Sequence, residues 1–388
     1  MLPYYQPELD EADVAAVAQS LRSGWLTSGP RVRQLEEAFA RLSGVKHAVA
    51  VNSCTAAVHL ALVALGVGPG DEVVLPSLSF VACANSVRQL GGKPVFADVD
   101  AETLCVTVDT LEAVVTPRTK AIVTMNYGGQ PVGIDSIAKY ARARGLGLIE
   151  DAAHAVGTLD AGRWPGTFSD AAAFSFYATK NVTSGEGGLL LTNRSDIAEK
   201  VRALSLHGLN HDAWKRYEVG GSWRYDVTEI GYKCNLADFV AALACSQLDK
   251  LDAFQQKRDL LARSYMMKLE RVPGVRALTR QAAEPNKNSW CLFAISVDQN
   301  VTMISRDDLI ERLNRANIGT SVHFIPTHLF SIYKSAEQPS LPVTERIWET
   351  LISLPLYPAM EERDVDDVVD ALSDIITSAQ SSARSINA

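Results

Sequence analysis

Two short apolar runs in the middle of the chain each end at a side chain that could do chemistry. Residues 146–149 stop at an acidic pair that includes Asp151, and residues 171–176 are followed by Lys180. Such runs are typical of buried parallel strands, whose carboxyl ends meet at one edge of a sheet, where ligands collect. Asp151 and Lys180 are therefore predicted to face one ligand. The alternative for each is ordinary, because a strand-end Asp often caps a helix and a strand-end Lys is usually solvated.

One cofactor requires this pair of side chains. Pyridoxal phosphate (PLP) needs a lysine for its Schiff base and a carboxylate that keeps its ring nitrogen protonated, because the protonated ring is the electron sink. The pair Asp151 and Lys180 thus indicates a PLP site at the carboxyl edge of the predicted sheet.

The motifs around this pair resemble those of one enzyme family. EDAAHA at 150–155, FSFYATKN at 174–181 and the EGG that follows look like the DegT/DnrJ/EryC1/StrS family of PLP-dependent nucleotide-sugar aminotransferases. Other stretches resemble the family in the expected order: SGWLTSGP at 23–30, VNSCTAAVHLAL at 51–62, TPRTKAIV at 116–123, GYKCNLAD at 231–238 and SLPLYP at 353–358. The similarity covers nearly the whole chain. Within the family, it points to the branch that makes UDP-4-amino-4-deoxy-L-arabinose.

The resemblance implies a fold and two catalytic residues. The fold is the PLP-dependent, aspartate-aminotransferase-like one (fold type I), a mainly parallel sheet flanked by helices with a small α+β C-terminal domain. Lys180 is predicted to form the aldimine with the cofactor and, once released from it, to move the proton between the substrate carbon and the cofactor. Asp151 is predicted to pair with the ring nitrogen.

A polar turn before an uncharged helix is a second predicted cofactor contact. The first amides of a helix lack partners and lie at the positive end of its dipole, so Cys54, Thr55 and Ala56 are a candidate phosphate cradle. N-capping by Ser53 or Thr55 would explain the same residues. In the family the matching turn holds the PLP phosphate, and Ser175 resembles the family's phosphate-binding serine.

Five further residues are assigned by the resemblance. Phe80 matches an aromatic residue that stacks on the pyridine ring and His154 a residue beside that ring, although both could instead be core residues. Tyr177, where many relatives have His, and His323 are predicted to lie near the sugar substrate. Asn235 resembles a residue that reaches the phosphate from the neighbouring subunit, which implies a homodimer with a shared active site.

Length and composition narrow the class of protein. The 388 residues predict a large PLP-binding domain at 1–250, with an N-terminal arm, and a small domain at 251–388. A net charge of -8 gives no footprint for nucleic acid. Scattered cysteines and an acidic N-terminal region favour the cytoplasm, and the uncharged stretch 48–70 is too polar for a membrane span. The spacing of His, Cys and acidic residues predicts no metal site.

The order of elements predicts the rest of the architecture. Strand-like and helix-like stretches alternate through the first half of the chain, which is typical of a mainly parallel sheet with helices on both faces. Residues 232–272 contain no Gly or Pro and predict one long helix leading to the small domain. In the small domain we expect a strand at 320–323, a helix at 365–376 and a frayed tail at 381–388.

These features together predict a PLP-dependent aminotransferase with ping-pong kinetics. Glutamate is the expected amino donor, and the acceptor is C4 of a nucleotide-linked 4-keto sugar, either UDP-4-keto-pentose or a dTDP- or UDP-linked 4-keto-6-deoxyhexose. A PLP-dependent sugar dehydratase remains an alternative, although such relatives replace the lysine with histidine. An NAD-dependent oxidoreductase is disfavoured, because the glycine cluster at 66–71 follows a helix and precedes a strand. A non-catalytic regulatory protein on the same fold is a further alternative.

Overall fold

Ten strands form two sheets in this computed structural model, which describes residues 1–209, 225–334 and 340–386, with side chains through residue 383. The strands of the large sheet are β1 (His47–Val51), β2 (Glu72–Pro76), β3 (Lys93–Ala97), β4 (Thr119–Met125), β5 (Gly147–Asp151), β6 (Ala171–Ser175) and β7 (Gly188–Thr192). The small sheet contains β8 (Val275–Ala277), β9 (Phe293–Val297) and β10 (Leu351–Leu354).

Helices surround both sheets. Those of the first half are α1 (Glu11–Arg22), α2 (Pro30–Ser43), α3 (Cys54–Ala64), α4 (Ala82–Gln89), α5 (Val108–Glu112), α6 (Ile134–Ala143) and α7 (Ser195–Leu204). Those of the second half are α8 (Asp238–Asp249), α9 (Leu251–Leu269), α10 (Gln299–Thr302), α11 (Arg306–Arg315), α12 (Pro342–Thr350) and α13 (Glu362–Ile386).

The large sheet has the strand order β1-β7-β6-β5-β4-β2-β3. Neighbouring strands are parallel from β6 through β5, β4 and β2 to β3, whereas β7 runs antiparallel to both β1 and β6. The prediction of a mainly parallel sheet flanked by helices is therefore confirmed. Most positions in its short strands are apolar, because helices cover both faces, and the charged residues lie mainly at strand ends.

The register of the strands brings the predicted site residues to one edge. Asp151 ends β5 and pairs with Ala173 of β6, so that Ser175, the last residue of β6, lies just beyond it. Because β7 is antiparallel, its first residue, Gly188, lies at this same edge and pairs with Ser175 and with Val51 of β1. Helix α3 starts directly after β1, so its N-terminus joins the edge as well.

Successive residues of each strand supply hydrophobic cores on opposite faces of the sheet, as pleating requires. In β6, Ala171 and Ala173 belong to a cluster with α3, α4 and α7, whereas Ala172 and Phe174 belong to a cluster with α2 and α8. All four side chains are fully buried. This two-sided packing fixes the strand ends that carry Asp151 and Ser175.

The C-terminal third has a core of its own around the antiparallel sheet β10-β9-β8. That core also takes in Leu2 and Tyr5, because Leu2 forms a bridge with Ile318. The predicted N-terminal arm thus lies against the C-terminal part of the chain. Tyr333 and Leu341, in turn, join a core of the large sheet. A domain division at residue 250 remains a prediction.

The single long helix predicted for residues 232–272 is wrong, since the chain forms α8 and α9 with a break at Lys250. The ammonium of Lys250 lies 2.6 Å from Asp13 Oδ2 and 3.0 Å from Asp10 Oδ1, both at the start of α1. Its backbone N–H donates to Gln247 rather than continuing the regular ladder. A tertiary ion pair at the helix end therefore accompanies a break that local propensity does not predict.

Two predictions for the C-terminal part are also wrong. The expected strand at 320–323 reduces to one bridge, in which Ser321 pairs with Ser353 of β10. The expected frayed tail is instead the last part of α13, which continues to Ile386. One face of this helix is apolar, and its residues, including Val365 and Val368, pack into the C-terminal core. The helix continues beyond these contacts.

Candidate active site

A cavity of about 430 Å³ lies at the carboxyl edge of the large sheet. Its lining includes every predicted site residue except Ala56 and Asn235, namely Cys54, Thr55, Phe80, Asp151, His154, Ser175, Tyr177, Lys180 and His323. The alternation of strands and helices collects them, because most end or follow strand β5 or β6 or start helix α3. The volume falls within the range of small-molecule sites.

Asp151 is a buried carboxylate with weak partners. Its Oδ1 accepts from the Ala153 N–H at 3.1 Å and from the Cys54 thiol at 3.7 Å, and its Oδ2 accepts from the Cys83 thiol at 3.2 Å. Burial raises the pKa of Asp151, and these hydrogen bonds and the charge of Lys180 offset the rise in part. No Lys or Arg of the described ranges forms an ion pair with it. A cationic partner inside the cavity would therefore be stabilised.

Lys180 reaches the same cavity from the loop after β6. Its backbone N–H donates to the carbonyl of Tyr177 at 2.9 Å, and its own carbonyl accepts from the hydroxyl of Tyr5 at 3.0 Å. The side chain is half-buried and lies near enough to Asp151 for its charge to act on the carboxylate. The cavity thus contains one primary amine and one buried carboxylate.

The start of α3 forms one wall of the cavity. The Ser53 side chain caps the helix, because its Oγ accepts from the Ala56 N–H at 3.1 Å. This cap uses the amide of Ala56, which does not line the cavity, and leaves Cys54 and Thr55 as the first two residues of the helix. The amides of such positions have no partner within the helix and favour an anion.

Gly188 lets strand β7 approach this helix start closely. A Cβ at Gly188 would lie 2.4 Å from the carbonyl carbon of Ser53 and 2.5 Å from the backbone nitrogen of Cys54. Ser175 pairs with Gly188 in the sheet, and its hydroxyl lines the cavity, where it accepts from the Tyr177 N–H at 3.2 Å. Helix amides and a hydroxyl are thereby placed side by side.

Two neutral histidines line the cavity. Burial lowers the pKa of His154 well below its usual value, and its Nδ1 accepts from the Gly128 N–H at 3.3 Å, so its proton resides on Nε2. Burial, with a contribution from the charge of Lys180, lowers the pKa of His323 to about 3. His323 Nδ1 lies 2.9 Å from Ser353 Oγ. Both rings can therefore act as hydrogen-bond donors or acceptors without adding charge.

Aromatic side chains line the mouth of the cavity. Phe80 is 58% exposed and Tyr177 is 48% exposed, which is unusual for rings of this size. The ring of Phe324 lies 6.0 Å from that of Phe80 and is stacked at 5.9 Å on that of His154. Phe80 is thus a cavity aromatic rather than a core residue, and an apolar ligand face would cover it.

Asn235 lies outside the cavity of its own chain. Its Nδ2 donates to Ser28 Oγ at 2.8 Å, its Oδ1 accepts from Lys233, and its backbone pairs with Val51. This position neither tests nor contradicts the prediction that Asn235 serves a neighbouring subunit, which remains a prediction.

Several cavity residues were not identified from the sequence. Cys83, Phe324, Thr179 and Glu186 line the cavity, and Cys83 contacts Asp151 directly. Cys83 sits three residues after Phe80, on the first turn of α4, so its proximity to a predicted aromatic was an available signal. Phe324 adjoins the predicted His323 but carried no motif of its own.

The described residues contain no group of three His, Cys, Asp or Glu side chains placed to hold a metal ion. The buried His328 forms a hydrogen bond with Ser77, whose Oγ lies 2.6 Å from its Nδ1. His211 lies outside the described residues.

In the described part of the chain, no helix has both the length and the apolar character needed to cross a membrane.

The cavity residues fit pyridoxal phosphate. A lysine amine is present for the carbonyl carbon, and a buried carboxylate that lacks a cationic side-chain partner among the described residues suits a protonated ring nitrogen. The first amides of α3 beside the Ser175 hydroxyl suit a phosphate group. The fold and the cavity thus define a PLP-dependent aminotransferase.

Comparison with known proteins gives the family. Residues 7–373 match the DegT/DnrJ/EryC1/StrS aminotransferase family, and the chain belongs to that family. The spore coat polysaccharide biosynthesis protein SpsC of Bacillus subtilis (strain 168) is 45% identical over 382 residues, which cover 97% of this chain and 98% of that protein. The predicted fold type I and the PLP cofactor are thereby confirmed.

Solved structures of the family have the same fold. The aminotransferase TlmJ from Streptoalloteichus hindustanus superposes with a TM-score of 0.90 at 36% identity, over 98% of this chain and 100% of that one. DesI, solved in the presence of its TDP-sugar product, superposes with a TM-score of 0.87 at 32% identity, over 99% of this chain and 95% of that one.

Proposed function

We propose that the protein transfers an amino group from glutamate to C4 of a nucleotide-linked 4-keto sugar. The observation that carries the proposal is the cavity in which Lys180 and Asp151 meet at the carboxyl edge of the sheet. Membership of an aminotransferase family and the likeness to DesI, solved with a TDP-sugar product, support the nucleotide sugar as substrate. UDP-4-keto-pentose and dTDP- or UDP-linked 4-keto-6-deoxyhexoses are the candidate acceptors.

Lys180 and Asp151 divide the chemistry between them. Bound PLP draws electrons from the substrate carbon next to the amino nitrogen, which makes the proton on that carbon removable. The Lys180 amine holds the cofactor between turnovers and moves this proton during the reaction. The Asp151 carboxylate, buried and opposite a cationic ring nitrogen, keeps that nitrogen protonated.

The remaining cavity residues bind and orient. The amides of Cys54 and Thr55, with the Ser175 hydroxyl, hold the phosphate, and Phe80 covers one face of the ring. His154, whose proton resides on Nε2, lies beside the ring as a neutral donor. Tyr177 and His323 are placed near the sugar at the cavity mouth. The amino group passes from donor to cofactor and then to the sugar, so we expect ping-pong kinetics.

The assembly and the pathway are part of the same proposal. Asn235 is proposed to complete the phosphate site of a second subunit, so that the active enzyme is a homodimer. The unpaired cysteines suit a cytoplasmic enzyme. The product would supply a lipid A modification, in the manner of the UDP-4-amino-4-deoxy-L-arabinose branch, a surface polysaccharide or an antibiotic sugar. The identity with SpsC favours the polysaccharide.

The visible absorption spectrum of the purified holoenzyme tests this function. Glutamate is added first, and UDP-4-keto-pentose and dTDP-4-keto-6-deoxyglucose are then added to separate samples. We expect the long-wavelength band to fade with glutamate and to return with one keto sugar. Lys180→Ala should abolish both changes, whereas the surface variant Lys139→Ala should behave as the wild type. A holoenzyme that responds to glutamate but to neither keto sugar would contradict the proposed acceptor.

A further inference from the structure

Residues 2–5, hereafter the arm, form a short extended segment against the C-terminal part of the chain. The Leu2 N–H donates to the Asn317 carbonyl at 2.8 Å, and the Gly319 N–H donates to the Leu2 carbonyl at 2.8 Å. At Gly319 the two backbones come so close that a Cβ would lie 2.5 Å from the Tyr4 nitrogen. These contacts fix the position of Tyr4 and Tyr5, the last two residues of the arm.

Tyr5 places its hydroxyl on the loop that carries the active-site lysine. The hydroxyl donates to the Lys180 carbonyl at 3.0 Å. The ring lies near Tyr357, at 6.0 Å between ring centroids, and near Arg258, whose guanidinium carbon lies 5.9 Å from the ring centroid. The contact therefore links the arm, the C-terminal core and the lysine loop.

Arg258 anchors this arrangement from helix α9. Its side chain is only 1% exposed, and it donates to the carbonyls of Leu356 at 3.0 Å and Trp290 at 3.3 Å. Among the described ion pairs none includes Arg258, so carbonyl dipoles and the Tyr5 ring are what surround its charge. A buried guanidinium that lost one of these hydrogen-bond partners would carry an uncompensated charge, which is costly. Arg258 therefore favours the one geometry in which all its partners are in place.

Tyr4 makes the matching contact on the opposite side of the arm. Its ring stacks on His323 with 5.4 Å between centroids, and its hydroxyl lies 3.5 Å from His323 Nδ1. His323 also lines the cavity. Two successive arm residues, which do not themselves line the cavity, thus contact the cavity residues His323 and Lys180.

We propose that the arm is a positioning element of the active site, in which the Tyr5 hydroxyl, anchored by Arg258, sets the position of Lys180. This inference rests on the proposed role of Lys180. Tyr5 touches the lysine backbone and not the reacting atoms, so it acts through Lys180. The loss of one hydrogen bond to a backbone carbonyl should affect the step that uses the lysine amine more than the binding of the sugar.

Tyr5→Phe tests the proposal, because it removes the hydroxyl and keeps the ring near Tyr357 and Arg258. We expect kcat to fall about fivefold with the KM for the sugar unchanged, and the pH midpoint of the visible band of the holoenzyme to shift. Tyr265→Phe is the matched control. It removes a buried tyrosine hydroxyl of α9 that has no hydrogen-bond partner in the described part of the chain.

Gly319→Ala tests the contact between Tyr5 and Lys180 by a substitution outside both residues. The added Cβ displaces the arm without touching the cavity, and kcat and the pH midpoint should change in the same direction as in Tyr5→Phe. Since both substitutions weaken the contact between Tyr5 and Lys180, the double variant should lose less than the product of the two single effects.

A Tyr5→Phe enzyme with wild-type kcat and wild-type spectral titration would overturn the proposal, as would additive effects in the double variant. The spectral titration requires only cofactor bound to Lys180 and no sugar. A wrong substrate would therefore leave this readout intact, so failure of the proposed function and failure of the positioning role give different results.

Discussion

Glu150 and Asp151 are neighbouring carboxylates that strand β5 turns to opposite faces of the sheet. Both are buried, yet they lie in different surroundings. Asp151 lines the cavity, whereas Glu150 accepts from the Gly166 N–H at 2.8 Å and from Ser169 Oγ at 2.7 Å. Within the described ranges, the second oxygen of Glu150 has no hydrogen-bond partner. Burial raises the pKa of both, but only one of them can meet a ligand.

Asp151→Asn should separate charge from shape. An amide oxygen can still accept from the Ala153 N–H, but it cannot balance a protonated ring nitrogen. We expect kcat to fall about 100-fold or more while the melting temperature is retained. Steady-state kinetics and thermal unfolding of the same preparation measure the two quantities. An unchanged kcat would show that the carboxylate is not the partner of the ring.

Glu150→Gln should change the pH dependence of stability and leave catalysis alone. Burial raises the pKa of Glu150 from 4.5 to about 7 in the folded state, so its stabilising contribution is complete below pH 4.5 and is lost as the pH rises through 7. A glutamine does not titrate. The variant should therefore gain about 3 kcal/mol relative to the wild type between pH 4.5 and pH 8.

Denaturant unfolding at several pH values measures this difference, and kcat at each pH is the internal control, since Glu150 does not line the cavity. A difference between the two proteins that stays constant with pH would mean that Glu150 keeps its ordinary pKa in the folded state.

At the scale of elements, the phosphate cradle depends on how closely β7 approaches α3. A Cβ at Gly188 would lie 2.4 Å from the backbone carbonyl carbon of Ser53, and the backbone can be displaced only at a cost in stability. Gly188→Ala should therefore displace the first turn of α3, lower the free energy of unfolding by about 1–3 kcal/mol and weaken PLP binding. Cofactor titration of the apoenzyme measures the binding.

Gly68→Ala is the control for this substitution, because a Cβ there meets no heavy atom within 4 Å. It should change neither stability nor cofactor affinity by a comparable amount. If Gly188→Ala lowered stability while PLP bound as tightly as before, the close approach would serve packing alone.

The large sheet was predictable because its strands carry local signals. Apolar runs that end at polar residues place Asp151 at the end of one strand and Lys180 just beyond another without any knowledge of the fold. The break at Lys250 was not predictable in this way, because Asp13, which binds the ammonium, lies far away in the chain. The short strands β8 and β10 likewise depend on pairing with β9 rather than on their own patterns.

In the cavity, too, local sequence signals were predictive and contacts between distant residues were not. Residues inside the motifs, such as Lys180 and His154, were found, since the motif itself carries the signal. Cys83 and Tyr5 were missed, because each reaches the site through a hydrogen bond to a residue far away in sequence, 3.2 Å to Asp151 for Cys83 and 3.0 Å to Lys180 for Tyr5. Such contacts exist only after the chain has folded.

At the scale of the whole molecule, the position of Asn235 bears on how many chains make one active site. Asn235 lies beside Ser28 and Lys233 and not in the cavity that contains Lys180 of its own chain. Five residues earlier in the chain, Ile230 is 94% exposed. An isologous dimer would cover such a surface and bring each Asn235 to its partner's cavity.

Mixed dimers test this arrangement directly. Lys180→Ala and Asn235→Ala should each be nearly inactive alone. When they are unfolded together, refolded and loaded with PLP, about half of the dimers carry one chain of each kind, and one of the two sites in such a dimer has both residues. Activity should therefore return to about a quarter of the wild type.

Mixing Lys180→Ala with Asp151→Asn is the control. Both residues belong to one chain, so every site in a mixed dimer lacks one of them. Recovery in neither mixture would mean that Asn235 serves its own chain, and a fully active Asn235→Ala enzyme would mean that it serves neither. Recovery in the first mixture alone requires that two chains build each site.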